Sequence, residues 1–72
     1  MRRMPLDSSV IASVGYSPDD RILEVEFQTG RVYHYLGVPP EQHSRLLSAD
    51  SAGKYFNRVI RDHYETREVT ED

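Results

Sequence analysis

From Leu23 to Phe27 apolar and acidic residues alternate one for one, Leu-Glu-Val-Glu-Phe, and this run restricts the fold more than any other part of the chain. Successive side chains of a strand point to opposite faces, so Leu23, Val25 and Phe27 face a core while Glu24 and Glu26 face water. Gln28-Thr29-Gly30 then closes a hairpin into Arg31-Val32-Tyr33-His34-Tyr35-Leu36. The loop sets where the tyrosines point, because a slip of one residue moves every side chain to the other face. A three-residue loop, with Gly30 left-handed in a type I turn plus bulge, pairs Val25 with Tyr33 and Leu23 with Tyr35. A two-residue Thr29-Gly30 loop pairs Glu26 with Tyr33 and Glu24 with Tyr35, and leaves both rings in solvent beside carboxylates. The first register is favoured because it buries more aromatic area and sets His34 opposite Glu24.

Upstream, Val10, Ala12, Val14 and Tyr16 alternate with Ile11, Ser13 and Gly15, which predicts another strand with the first set on its more apolar face. Ser17-Pro18-Asp19-Asp20 has the residue types of a turn between the two strands. Downstream, Val38-Pro39-Pro40 ends the sheet, and Pro40-Glu41 suits the first turn of a helix running to about Ser48, with Leu46 and Leu47 inward. Asp50 or Ser51 caps a second helix, on which Ala52, Phe56, Val59, Ile60 and His63 form one apolar stripe flanked by Tyr55 and Tyr64. Gly53 in its first turn permits close packing on the sheet. The expected fold is therefore α+β: a three-stranded antiparallel β-meander followed by two α-helices packed on one face (β-β-β-α-α).

A chain of 72 residues without cysteine has room for one domain, and neither a disulfide nor a thiolate zinc site to staple it, so packing carries its stability. No apolar run is long enough for a membrane span, and the two arginines near Met1 precede no apolar signal segment, which makes the cytoplasm the expected compartment. The net charge of −3 is uneven along the chain. Residues 1–64 hold equal numbers of basic and acidic residues, while the end of the chain sets Arg67 against Glu65, Glu68, Glu71 and Asp72. Residues 1–7 are expected to be a disordered N-terminal segment, 8–64 the domain, and 65–72 an acidic disordered tail.

The order Ser8-Ser9-Val10-Ile11, Gly15-Tyr16, Leu23-Glu24-Val25-Glu26-Phe27, Gly30, Tyr33-His34-Tyr35, Val38-Pro39, then Ala49, Ser51, Gly53-Lys54-Tyr55-Phe56-Asn57 and Ile60-Arg61 resembles the KTSC domain. The Y-x-Y pair and the S-x-G-x-Y-F-N-x-x-I-R stretch carry the resemblance jointly, by order and spacing, over roughly residues 8–64. That family takes its name from the C-terminus of some lysyl-tRNA synthetases and also includes small free-standing bacterial and phage proteins. The synthetase context implies RNA binding; aminoacylation belongs to the synthetase's catalytic domain and does not carry over.

The residues themselves offer one constellation suited to a polyanion. Lys54, Arg58 and Arg61 fall on one stripe of the second helix with Asn57 alongside, and Arg31 sits at the hairpin. Lysines and arginines so placed grip successive phosphates, whereas the plainer reading is a solvated helix face. Tyr33, Tyr35 and Tyr55 are candidates to stack on unpaired bases, although the favoured register gives Tyr33 and Tyr35 mainly a packing role. His34, His43 and His63 lie on three elements with no paired-ligand spacing, so no metal is expected, nor any other cofactor. No set of residues reads as a nucleophile with its base, so no catalytic residue is expected. The sequence thus points to a small non-enzymatic module binding RNA or single-stranded nucleic acid. Its rival is a protein-protein adaptor using an exposed sheet edge or an apolar patch.

Overall fold

The computed structural model describes residues 2–70. The meander is present as strands β2 (Ile11–Ser17), β3 (Ile22–Phe27) and β4 (Val32–Leu36), and the favoured hairpin register is the one adopted, with Val25 opposite Tyr33, Leu23 opposite Tyr35 and Glu24 opposite His34. Its turn has the expected geometry. Gly30 is left-handed at φ 93°. Its N–H donates to the Phe27 carbonyl at 2.9 Å, while the Phe27 N–H donates to the Arg31 carbonyl at 2.9 Å.

The sheet has five strands, not three. β1 (Arg3–Pro5) pairs antiparallel with β2, and β5 (Glu65–Val69) pairs antiparallel with β4, in the order β1-β2-β3-β4-β5. Both added strands lie in segments that the sequence reads as disordered ends. A three-stranded meander leaves a row of unpaired backbone groups on each outer strand, and the terminal segments satisfy them. β1 is held further by charge, since Arg3 reaches Glu24 at 3.4 Å and Glu26 at 3.8 Å across the sheet. β5 forms because Asp62, at φ 67°, turns the chain back along β4. The expected tail residues Glu71 and Asp72, like Met1, lie outside the described residues.

A bulge in β2 corrects a second expectation. Pairing with β3 passes from Ile11–Phe27 directly to Ser13–Glu26, so Ala12 is an extra residue and the alternation changes phase there. Ile11 and Val14 consequently both lie fully buried, while Val10, expected on the apolar face, is 41% exposed.

Helix α1 (Pro40–Ser48) buries Leu46. Helix α2 (Ala52–Tyr55) is capped by Ser51, whose hydroxyl accepts the Lys54 N–H at 3.3 Å. It runs on as a π-helical segment, Phe56–Ile60, closed by the Arg61 N–H donating to the Phe56 carbonyl at 2.8 Å. Phe56 and Ile60 are buried as expected, but His63 is exposed, because the chain has already left the helix at Arg61. A β-carbon at Gly53 would stand 3.4 Å from Val10 Cγ2, so glycine lets this turn approach the start of β2. The core joins Ile11, Val14, Leu23, Val25 and Tyr35 of the sheet to Val38, Leu46, Phe56 and Ile60. Across the opposite face of the sheet, Arg3, Gly15, Glu24, His34 and Arg67 form one cross-strand row.

Candidate nucleic-acid interface

Two local features converge on one groove. The Gly30 bulge directs Tyr33 and Tyr35 to the helical side of the sheet, and the π-helical turn carries Asn57 and Arg61 toward the tip of the same hairpin. The result is an open groove of about 630 Å³ between the hairpin, the π-helical segment and β5, lined by Arg31, Tyr33, Tyr35, Asn57, Arg61 and the acidic Asp62 over Phe27 and Phe56. Five of the eight residues singled out in the sequence thus share one surface.

The aromatic base of the groove is continuous with the core. Phe27 meets Tyr33 edge-on at 5.6 Å between centroids and Phe56 at 5.5 Å, while Tyr35 meets Phe56 at 5.2 Å. Such T-shaped contacts set the positive edge of one ring against the negative face of the next. Tyr35 is only 5% exposed. Burial pushes its phenol up to about 12, so it stays a neutral hydrogen-bonding group across the physiological range. Tyr33 is half-buried.

The cations stand at the rim. Arg31 is exposed; the neighbouring Tyr33 phenol, and after it Glu68 on β5, raise its pKa further above the usual arginine value. Arg61 is also exposed, and its Nη1 donates to Asn57 Oδ1 at 3.5 Å, which orients the amide and leaves its NH₂ group to point elsewhere. The remaining three candidates lie apart. Lys54 borders a second depression with Asp7, Ser8 and Asp50, which Asn57 also lines, and Arg58 is exposed. Tyr55 donates its hydroxyl to Gln42 Oε1, tying α2 to α1.

Sequence reasoning missed Phe27 and Phe56 as groove residues, having assigned them wholly to the core, and missed Glu68, which β5 places opposite Tyr33. The position of Phe27 beside the hairpin loop was the available signal for the first; nothing in the sequence signalled the last.

The histidines are engaged elsewhere or exposed. His34 Nε2 lies 2.8 Å from Glu24 Oε1 on the open face of the sheet, His43 stacks on Tyr16 at 4.8 Å, and His63 is exposed. Among the described residues no three of His, Asp and Glu gather as a metal site, and no helix is long and apolar enough to cross a membrane.

Comparison with known proteins gives a consistent picture. The family model described as KTSC domain matches residues 7–64. A protein of Stutzerimonas stutzeri is 51% identical over 65 residues, which cover 89% of this chain and 92% of that protein. A lysine–tRNA ligase of Nostoc punctiforme is 33% identical over 64 residues, 89% of this chain but 11% of the ligase. The crystal structure of a KTSC domain protein from Yersinia pestis superposes with a TM-score of 0.94 at 42% identity, covering 96% of this chain and 97% of that one.

Proposed function

This chain belongs to the KTSC domain family, and from that premise and the lining of its groove we propose that it is a non-enzymatic RNA-binding module of the cytoplasm. The observation that carries the reading is the placement of Arg31 and Arg61 at the rim of an aromatic groove. Cations that neutralise phosphates and rings that offer a face to bases are the two components of single-strand recognition. Lys54 on α2 and Arg58 on the π-helical segment add two further exposed cations. A lysine–tRNA ligase, named for an RNA substrate, includes a segment alike over most of this chain, which supports the same reading.

Titration of the ¹⁵N-labelled protein with a pool of short single-stranded RNA, at low and at physiological salt, tests it. Saturable shifts that weaken with salt support the proposal, with log K falling by about 0.7 per log unit of salt for each phosphate contacted. An absence of shifts at low salt refutes it for single strands.

A second reading, a protein-protein adaptor, draws on a different surface. A cleft of about 360 Å³ beside β1 is lined by Met4, Pro5, Val14, Tyr16, His43 and Leu47 next to Arg2 and Arg3, and Met4 is 57% exposed. Exposed apolar surface of this kind marks interaction sites. Binding there would leave the groove amides unmoved.

A further inference from the structure

We infer that the groove is a site for one nucleotide, holding a single unstacked base against Tyr33 and Phe27, with its edge at Asn57 and its phosphate at Arg31 and Arg61. This deepens the RNA-binding reading and rests on it for the source of the nucleotide; the shared chemistry, a nucleobase carrying a phosphate, is the same for a free nucleotide.

The dimensions restrict the occupant. A volume of about 630 Å³ falls within the roughly 300–1,000 Å³ of small-ligand sites, and the hairpin tip, the π-helical segment and β5 bound it on three sides. A duplex keeps its bases stacked and paired and offers this bay only backbone, whereas an unpaired nucleotide can turn its base inward. The lining is ordered to match such a nucleotide. Phe27, Tyr33, Tyr35 and Phe56 supply an apolar aromatic base, and the charged side chains stand outside it at the rim.

Asn57 occupies the position between ring and rim. Its Oδ1 already accepts from Arg61 at 3.5 Å, so the NH₂ group is the part available to a base edge, and asparagine amides hydrogen-bond base edges readily. Because the same contact ties Asn57 to Arg61, the residue that meets the base and one that meets the phosphate are positioned together. Glu68 works against the ligand. It lies opposite Tyr33 on β5 and places negative charge near Arg31, and Asp62 puts a second carboxylate in the groove lining.

The experiment compares four probes on the intact chain by amide shifts: a six-nucleotide single-stranded RNA, free nucleoside 5′-monophosphates, the matching nucleosides, and inorganic phosphate. Shifts at Arg31, Tyr33, Asn57 and Arg61, including the Asn57 side-chain NH₂, are expected with the oligonucleotide and more weakly with the monophosphates. Tyr33→Leu should weaken oligonucleotide binding by about tenfold, as loss of one base stack does. Arg31→Gln, a change at an exposed side chain, should weaken binding and lower the salt slope by about one phosphate contact. Glu68→Gln should tighten it. Oligonucleotide shifts confined to Lys54 and Arg58 would overturn the nucleotide site and leave RNA binding standing. Monophosphate binding in the groove without oligonucleotide binding would keep the site and refute RNA as its source. Inorganic phosphate binding as tightly as the monophosphates would overturn the role given to the base. Silence from all four probes at low salt would overturn both proposals.

Discussion

Gly30 holds the whole hairpin in register through its own backbone angle. At φ 93° a side chain is strained whatever room surrounds it, and here a β-carbon would meet nothing within 4 Å, so the strain is purely conformational. Gly30→Ala is expected to cost about 1 kcal/mol, which for a domain of this size lowers Tm by roughly 4–8 °C. A thermal melt followed by circular dichroism measures it. His43 makes a different residue-scale contribution. It stacks on Tyr16 with the ring planes 12° apart, and burial lowers its pKa below the usual histidine value. Between the lowered folded pKa and the unfolded value of about 6.5, the unfolded chain binds more protons, so stability falls as pH drops through that window. The contribution is intact above pH 6.5. His43→Phe retains a stacked ring and removes the titration. Urea midpoints at pH 7 and pH 5 should therefore drop further for the native protein than for this variant; equal drops would show that His43 titrates alike in both states.

At the scale of elements, charge pins what hydrophobic patterning does not. β1 is only Arg3–Pro5, and its tie to the sheet combines the Leu6 N–H donating to the Ala12 carbonyl at 3.0 Å with the reach of Arg3 to Glu24 and Glu26. Partly exposed ion pairs are worth up to about 1 kcal/mol, so Arg3→Met should speed hydrogen exchange at the Leu6 amide by roughly fivefold while leaving β3 protected. The same strand shows why the sequence disclosed some elements and not others. β3 and β4 were legible because five alternating residues and a glycine loop determine both a face and a register. β1 and β5 were not, because their side chains are mostly exposed and carry no alternation; Glu65, Thr66, Arg67 and Glu68 are all exposed. What recruits them is the unpaired edge of a neighbouring strand, close along the chain for β1 and about thirty residues or more away for β5. The bulge at Ala12 escaped for a related reason, since an inserted residue inverts the pattern from which faces are read. In the groove, the residue types at Arg31, Asn57 and Arg61 were legible, but their convergence depends on a π-helical turn that the helical spacing of Lys54, Arg58 and Arg61 does not announce.

At the scale of the molecule, the groove and the core are one packed unit rather than a site set on a scaffold. Phe56 is fully buried among the core side chains, touches Phe27 and Tyr35 edge-on, and also forms part of the groove's base. Core and site therefore stand or fall together. A domain of this size has a total stability of roughly 4–11 kcal/mol, by the usual yield per residue. Truncating a buried phenylalanine costs about 3–5 kcal/mol, through lost burial and the cavity left behind. Phe56→Ala consequently removes from about a quarter to all of that margin, and its melting temperature should fall by at least roughly 12 °C or its cooperative transition be lost. Leu47→Ala, which shortens a side chain only packed against the core's edge, should keep a cooperative melt at a modestly lower temperature. Calorimetry of the two variants beside the parent chain decides the point. If Phe56→Ala melts cooperatively near the parent temperature, the ring is not the joint between sheet and helices that its contacts describe, and the groove is free to change without the core.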